Sequence, residues 1–297
     1  MNIPKCNWPD ILSIIQQNTG LTPGSDSITS AAGGYINSSY LLGQGEQQIF
    51  IKINRSERLC MFEAEAAGLK TIASTGSICV PTVYCTGQSG DTAFIAMQAI
   101  IMRGSTSSSY REFGVQLAAL HRHQKSSFGA TIDNTIGSTP QHNSWSKDWY
   151  GFWRKHRLEF QLELARSNRA PTALIDDGLR LSESFEALFD KPPSAACLHG
   201  DLWQGNWGFT ASGKVVIFDP AHYFGDRETD IAMTTLFGRA HPEFYAAYEE
   251  AYPLSSGYAV REKFYNIYHI LNHFNLFGGA YASQAHHMIQ NVLSELR

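Results

Sequence analysis

Short apolar segments separated by glycine-containing turns occupy the first hundred residues. Four of them have the length and composition of strands: Tyr35 to Leu42, Gln48 to Ile53, Val83 to Thr86 and Ala93 to Met97. Because Gly43-Gln44-Gly45 separates the first two, we predict that they form a hairpin. Apolar residues at three- and four-residue spacing then predict a helix: Phe62, Ala66, Leu69 and Ile72. The amino-terminal third is therefore predicted to be a small antiparallel sheet with one helix.

Beyond residue 102 the spacing of apolar residues becomes mainly helical. Three stretches carry it: Phe113, Leu117 and Leu120; the run from Trp145 to Arg166; and Phe264, Ile267, Tyr268 and Leu271. Two strand-like patches, Ala196 to His199 and Lys214 to Asp219, interrupt the helices, and Gly104 to Ser109 is predicted to be a loop. We predict an α+β protein of two lobes, with a β-rich lobe over residues 1–102 and a larger, mainly α-helical lobe over 103–297.

Composition narrows the class of protein. The chain has 297 residues, of which 43% are hydrophobic, and this is enough for a sizeable core and excludes a disordered or fibrous protein. It has 23 basic and 27 acidic residues, so it lacks the excess positive charge that nucleic-acid binders use. No apolar run is long enough to span a membrane, and the amino terminus lacks the features of a signal peptide. We therefore expect a cytoplasmic protein without nucleic-acid or membrane partners.

Cysteine and histidine give weaker indications. Five cysteines are scattered without a C-x-x-C pair, which favours free thiols in a reducing compartment. His269 and His273 have the i,i+4 spacing of one helix face, but no H-E-x-x-H arrangement accompanies them. Aromatic packing is the favoured interpretation of this pair, and a metal site is the alternative.

The strongest chemical signal lies around the two strand-like patches. His199, Asp201 and Asn206 follow the order H-x-D-x-x-x-x-N, which is the spacing of a kinase catalytic loop. Asp219, thirteen residues after Asn206, follows an apolar stretch and stands where kinases place a second metal ligand. Asn206 and Asp219 offer oxygen ligands for Mg²⁺, and Asp201 can accept the proton of an acceptor hydroxyl. His199 is expected to anchor the loop by packing and hydrogen bonding.

Candidate nucleotide-binding groups lie upstream in the order that kinases require. Gly33 and Gly34 offer backbone amides for phosphates, and Lys52 lies in an apolar strand from which it could reach the α- and β-phosphates of ATP. Glu65 is the favoured carboxylate partner of Lys52 on the following helix. The hinge that would bind adenine through its backbone is expected at Gln98, Ala99 and Ile100. Each motif has an ordinary structural explanation by itself, but their shared order favours a bilobal, protein-kinase-like fold that binds ATP and Mg²⁺.

At these residues the chain resembles the fructosamine kinases, also called ketosamine-3-kinases, within the aminoglycoside-phosphotransferase group of kinase-like folds. The resemblance covers nearly the whole chain. Its most specific stretches are Gly33-Gly-Tyr-Ile-Asn37, Phe50-Ile-Lys-Ile-Asn54, Gly137-Ser-Thr-Pro-Gln-His-Asn143, His199-Gly-Asp-Leu-Trp-Gln-Gly-Asn206 and Asp219-Pro-Ala-His-Tyr-Phe-Gly225. The tryptophan two residues after Asp201 distinguishes this group from aminoglycoside and choline kinases.

The resemblance implies ATP-dependent phosphorylation of the sugar C3 hydroxyl in ketosamines, the Amadori products of sugars and amines. The phosphorylated adduct decomposes, so such an enzyme acts in deglycation. The resemblance assigns these roles: Asp201 as base, Asn206 and Asp219 as metal ligands, Lys52 as phosphate ligand, Gln98 to Ile100 as hinge, and Asp230 as a brace of the catalytic loop. Three departures from the family pattern are Tyr35 in place of a cysteine, Gln98 in place of an acidic residue and Gln204 in place of serine.

The sequence is compatible with more than one substrate and with several alternative functions. Trp203 and Tyr223 are candidates for an acceptor pocket in which a sugar ring stacks on an aromatic face, and core packing is the alternative. A kinase of the same fold for an aminoglycoside or choline is the nearest alternative function. A metal-dependent hydrolase that uses His199, Asp201, Asp219 and His222, or a non-catalytic nucleotide-binding regulator, would be of a different class. The preferred sugar and amine are left open, and a monomer is slightly favoured.

Overall fold

The structure is a computed structural model that describes residues 6–22, 28–31, 36–43 and 48–296. Its amino-terminal part holds a five-stranded antiparallel sheet of strands β1 Ile28–Ala31, β2 Ser38–Leu42, β3 Ile49–Arg55, β4 Val83–Ser89 and β5 Thr92–Gln98. Their spatial order is β1-β2-β3-β5-β4. The predicted pairing of the first two apolar segments is confirmed, because β2 and β3 are antiparallel neighbours. The central strand β3 is buried along most of its length, as its apolar sequence requires.

Two helices cover this sheet, where the sequence analysis predicted one. The predicted helix is α2, Leu59–Ser74, and the additional helix is α1, Trp8–Thr19. Ile11 and Ile15 of α1 are fully buried in a small core with residues of β3 and β5. Helix α1 ends at Thr19 and is followed by Gly20, whose φ of 72° suits glycine. The i,i+4 spacing of the two isoleucines was the local signal for this helix.

The chain leaves the sheet at β5 and immediately joins the carboxy-terminal part. Strand β6, Met102–Arg103, pairs with the strand Trp207–Thr210, so the boundary predicted at residue 102 falls inside β6. The main hydrophobic core is continuous between the two parts. Leu69 of α2 and Ile95 of β5 belong to the same buried cluster as Phe113 of the next helix. The division into two lobes at 102 stays a prediction.

The carboxy-terminal part is mainly helical. Its helices are α3 Ser107–His121, α4 Trp149–Trp153, a π-helical segment Arg154–Glu159, α5 Phe160–Ser167, α6 Thr172–Ser184, α7 Glu228–Leu236, α8 Pro242–Ala251, α9 Tyr258–Phe277 and α10 Tyr281–Glu295. Short 3₁₀ turns lie at residues 56–58, 185–188 and 204–206. The helix that was expected to start at Trp145 begins at Trp149, because the Asp148 side chain accepts hydrogen bonds from the amides of Tyr150 and Gly151. None of the helices among the described residues meets the length and hydropathy needed to cross a membrane.

Short strands in this part frame the candidate catalytic loop, residues 199–206. They are β7 Gln124–Lys125, β8 Asn134–Ile136, β9 Thr139–Gln141, β10 Ala195–Cys197, β11 Trp207–Thr210, β12 Val215–Ile217 and β13 Phe224–Gly225. β10 lies between β13 and β7, β11 lies between β12 and β6, and β8 pairs with β9. The strand-like patches predicted from the sequence correspond to β10 and β12. Buried, paired strands therefore precede both the loop that joins β10 to β11 and the residues after β12. These strands hold the candidate catalytic groups in place.

Candidate active site

A buried lysine links the sheet to the segment that follows β12. Lys52 lies in the middle of β3, is 5% exposed, and its Nζ is 2.8 Å from Oε1 of Glu65 on α2. The same Nζ donates to Oδ1 of Asp219. Burial disfavours the charged ammonium, but the carboxylates of Asp219 and Glu65 outweigh this effect and raise the pKa of Lys52 above its ordinary value. Lys52 is therefore a fixed cation between α2 and the segment that follows β12.

Asp201 and Asn206, both in the candidate catalytic loop, contact each other directly. Nδ2 of Asn206 donates to the backbone oxygen of Asp201 at 2.8 Å and to its carboxylate Oδ2 at 3.1 Å. Because the amide group uses its nitrogen here, Oδ1 of Asn206 remains an acceptor. Burial and the nearby charge of Asp219 raise the pKa of Asp201 to about 7, against the hydrogen bond from Asn206. A carboxylate with such a pKa can take up a proton near neutral pH.

Asp230 holds the start of this loop from helix α7. Its two carboxylate oxygens accept hydrogen bonds from the backbone amides of His199, at 2.7 Å, and Gly200, at 2.8 Å. Burial opposes ionisation of Asp230, but the hydrogen bond from His121 and the loop amides outweigh it, and the pKa lies below its ordinary value. Asp230 therefore acts as an ionised acceptor for two amides that would otherwise be buried without partners.

His199 connects the candidate catalytic loop to the strand end that precedes Asp219. Its Nε2 donates to the backbone oxygen of Phe218 at 2.9 Å, and its Nδ1 accepts from the amide of Asp201 at 3.3 Å. Both contacts require the neutral imidazole with the proton on Nε2. Burial lowers the pKa of His199 and favours this neutral form. The imidazole of His199 therefore connects the backbone at Asp201 to the backbone next to Asp219.

Two backbone conformations in the site are unusual. Gly200 has a φ of 85°, and a Cβ built on it would lie 2.1 Å from the backbone oxygen of Ala221, so no other residue fits there. Asp219 has a φ of 57°, which is a left-handed conformation that costs energy for a residue with a side chain. Two contacts hold Asp219 in place: its ion pair with Lys52, and the hydrogen bond that His199 donates to the backbone oxygen of the preceding Phe218.

The segment at the end of β5 presents few free backbone groups. The amide of Gln98 donates to the oxygen of Thr82 at 2.8 Å, and the amide of Ala99 donates to the oxygen of Gln48 at 3.2 Å. Within the described part of the chain, the Ile100 amide has no such partner. Gln98 also places its side-chain Oε1 3.4 Å from the Thr82 amide. Of the three hinge candidates, Ile100 therefore has the amide that is available to a ligand.

The remaining candidates differ in their accessibility. Gly33 and Gly34 lie outside the described residues. Trp203 is 38% exposed next to the catalytic loop, whereas Tyr223 is 3% exposed. The Tyr223 ring lies 4.3 Å from the Arg157 guanidinium and is stacked on Phe152. We therefore correct the expectation for Tyr223: its ring faces are covered by the core and are not available to a sugar.

Sequence reasoning missed a second layer of polar groups behind Asp230. His121, fully buried at the end of α3, contacts Oδ2 of Asp230 through Nε2 at 3.2 Å and the Tyr248 hydroxyl through Nδ1 at 2.7 Å. Arg227 donates to the same hydroxyl at 3.0 Å. The only local signal was a histidine that continues the apolar face of Phe113, Leu117 and Leu120.

The histidines that could suggest a different chemistry are engaged elsewhere. His222 contacts the backbone oxygen of Leu198 through Nδ1 at 2.7 Å, and His273 packs on Phe237 with ring centroids 4.5 Å apart. Across residues 6–22, 28–31, 36–43 and 48–296, no group of three or more histidine, cysteine, aspartate or glutamate side chains is arranged to hold a metal ion. Aromatic packing, the favoured interpretation of the helical histidine pair, agrees with the contacts of His273.

Comparison with known proteins identifies the family of this arrangement. The family model described as fructosamine kinase matches residues 7–295. The chain belongs to the fructosamine kinase family. A probable ketoamine kinase of Synechocystis is 43% identical over 288 residues, which cover 96% of this chain and 97% of the relative. A chloroplastic protein-ribulosamine 3-kinase of rice, subspecies japonica, is 40% identical over 273 residues, which cover 91% of this chain and 80% of the relative.

Solved structures support the family and its fold. A crystal structure from Haemophilus somnus, provisionally assigned as a fructosamine-3-kinase, has a TM-score of 0.87 and 30% identity, and covers 96% of this chain and 97% of its own. An amicoumacin kinase bound to AMP-PNP and Ca²⁺ has a TM-score of 0.64 at 13% identity and covers 98% of this chain and 94% of its own. The second likeness concerns the fold alone. The predicted α+β, protein-kinase-like fold and the resemblance to fructosamine kinases are confirmed.

Proposed function

We propose that this fructosamine kinase family member transfers the γ-phosphoryl group of ATP to the C3 hydroxyl of the sugar in a ketosamine. The observation that carries the proposal is the buried Lys52, which is paired with Glu65 and Asp219 beside the contacting pair Asp201 and Asn206. The substrate class rests on the relatives named ketoamine kinase and protein-ribulosamine 3-kinase. Decomposition of the phosphorylated adduct would make this a deglycation reaction in the cytoplasm.

The residues present fit a magnesium ion. Oδ1 of Asn206 is left free by the contacts of its amide nitrogen, and the Asp219 side chain is 42% exposed with one oxygen not used by Lys52. Both are the oxygen donors that Mg²⁺ prefers. We propose that Asn206 and Asp219 would hold Mg²⁺, which neutralises phosphate charge when bound. Lys52 would add a fixed positive charge toward the α- and β-phosphates.

Asp201 is proposed to receive the proton of the acceptor hydroxyl. Its carboxylate is oriented by Nδ2 of Asn206, and its backbone amide is held by His199. Because burial raises its pKa to about 7, Asp201 is partly protonated at neutral pH. A hydroxyl proton can pass to it only when Asp201 is ionised, so kcat/KM is expected to rise with pH up to about this value.

Adenine is proposed to bind at the end of β5. The Ile100 amide is free to donate, whereas the amides of Gln98 and Ala99 are used by the sheet. An adenine read by backbone groups explains why a glutamine is tolerated at position 98. The glycines at 33 and 34 are proposed to cover the phosphates.

The experiment is a turnover assay with purified protein, ATP and Mg²⁺. Acceptors are ribulosyl-lysine, fructosyl-lysine, an aminoglycoside and choline, and NMR locates the phosphate on the product. We expect phosphate on C3 of the ketosamine and turnover lowered about 10²- to 10⁴-fold with Asp201→Asn. Phosphorylation of the aminoglycoside or choline with no ketosamine turnover would contradict the proposal, and so would full activity of the variant.

A metal-dependent hydrolase would need different contacts. It would use His199 and His222 as ligands, but both are buried and contact backbone oxygens. Hydrolysis would also give the buried ion pairs of Lys52 no role in the reaction. Hydrolysis of a substrate in the absence of ATP would be needed to support it.

A further inference from the structure

A continuous row of aromatic rings extends from the catalytic loop to the last two helices. Trp203 lies against Phe237 with ring centroids 6.4 Å apart, and Phe237 lies 4.5 Å from His273. His273 in turn contacts Phe277 at 5.6 Å and Tyr281 at 5.2 Å. We call these five residues the aromatic shelf. They come from three separate segments of the chain, so only the tertiary structure brings them together.

The shelf is accessible and begins at the candidate catalytic base. Trp203 is 38% exposed and Phe277 is 59% exposed, and both belong to the few large apolar side chains that the described residues leave at the surface. The amide of Trp203 donates to the backbone oxygen of Asp201 at 3.1 Å. A Cβ on Gly205 would lie 2.2 Å from the Trp203 ring, so a glycine is needed for the indole to lie where it does. The backbone of Trp203 is therefore held next to Asp201, and Gly205 leaves room for the indole.

Three of the five shelf residues lie in a segment of the chain without charged side chains. From residue 264 to residue 294 the sequence contains no aspartate, glutamate, lysine or arginine, and this segment supplies His273, Phe277 and Tyr281. Nδ1 of His273 lies 2.8 Å from the backbone oxygen of His269, to which it can donate as a neutral imidazole. Burial lowers the pKa of His273, so that the ring is neutral at physiological pH. Because this segment offers no charged side chain, it favours an uncharged, apolar partner, since it cannot compensate a charged group for lost water.

We propose that the aromatic shelf binds the polypeptide next to a ketosamine-bearing lysine, and that it favours apolar or aromatic residues there. The inference rests on the proposed function, which places the sugar at Asp201. The amine substituent of that sugar must leave the site along a neighbouring surface, and Trp203 is the first exposed apolar side chain beside the loop. Ring spacings of 4.5 to 6.4 Å correspond to one or two residues of extended peptide, at about 3.3 Å each. The shelf therefore suits a segment of a few residues.

The test compares two synthetic peptides of equal length, each with one ribulosyl-lysine. One peptide carries phenylalanine and leucine beside the modified lysine, and the other carries aspartate and serine. Calorimetry measures Kd for both, and an ATP-coupled assay measures kcat/KM. We expect the intact protein to bind the apolar peptide about tenfold more tightly. Phe277→Ala is expected to reduce this ratio about fivefold, and the exposed control Val115→Ala on α3 is expected to leave the ratio unchanged.

The two measurements separate the shelf from the proposed function. Equal Kd values for the two peptides, or a ratio unaffected by Phe277→Ala and by Tyr281→Ala, would overturn the inference about the shelf. Preferential binding without phosphorylation of either peptide would support the shelf and contradict the kinase proposal. Sedimentation of the intact protein and of Phe277→Ala completes the test. A dimer that this substitution converts to a monomer would assign the shelf to a second copy and overturn the inference.

Discussion

The ion pairs of Lys52 lead to the sharpest prediction about stability. Lys52→Met removes the one ammonium group between two carboxylates, while its side chain keeps a similar length. The Glu65 side chain is only 12% exposed, so it loses its partner without gaining water, whereas Asp219 is 42% exposed and can be hydrated. Breaking a buried pair by removing one partner costs about 3 to 5 kcal/mol. At about 2 °C per kcal/mol for a chain of this size, the melting temperature is expected to fall by roughly 6 to 10 °C.

The effect should depend on pH in a defined direction. Burial raises the pKa of Glu65 to about 7 although Lys52 opposes the shift, and loss of the ammonium would raise it further. A carboxyl group with a raised pKa in the folded state destabilises the protein above that pKa. The penalty declines as pH falls toward the ordinary value. The deficit of Lys52→Met relative to the unmodified protein is therefore expected to be larger at pH 8 than at pH 5.

Thermal unfolding followed by circular dichroism, combined with a double-mutant cycle, tests this reasoning. The double variant Lys52→Met/Glu65→Gln should recover more than half of the lost stability, because the unpaired charge is gone. Lys70→Met, on the exposed side of α2, is the matched control and should change the stability by less than about 0.5 kcal/mol. A double variant no more stable than Lys52→Met, or a deficit that does not vary with pH, would refute the argument.

Three further substitutions probe the catalytic loop. Asp201→Asn should lower kcat about 10²- to 10⁴-fold. Because burial raises the pKa of Asp201 to about 7, its charge destabilises the folded state at higher pH, so this variant should melt a few degrees higher at pH 8 but not at pH 4. Gly200→Ala places a Cβ 2.1 Å from the Ala221 oxygen, so the free energy of unfolding in urea should fall by more than about 2 kcal/mol and turnover should be lost. Near-normal stability and turnover would show that the loop can rearrange. Asp230→Asn leaves only one side-chain oxygen for the amides of His199 and Gly200, so a loss of about 2 kcal/mol is expected from thermal melts. Unchanged melting would remove Asp230 as a brace.

Local pattern predicted most of the elements that carry the site. The helix α2 and the hairpin of β2 and β3 followed from apolar spacing and turn residues, since both depend on contacts close in sequence. Helix α1 was not predicted, because Ile11 and Ile15 are its only buried residues and one i,i+4 pair is a weak signal for a helix of 12 residues. The start of α4 was placed four residues too early, because the cap at Asp148 is a stronger boundary than the preceding Trp145.

The sequence by itself determined the family and the order of the chemical groups, from Lys52 to the loop at Asp201 and on to Asp219. Such motifs are local in sequence, so their spacing can be recognised without knowledge of the fold. Only the tertiary structure decided which groups meet: Lys52 and Asp219 are 167 positions apart and share an ion pair. It also decided that Tyr223 is buried and that Trp203 begins an exposed aromatic shelf. The physical reason is that burial and long-range contacts depend on how the helices and strands pack, and local spacing does not record that packing.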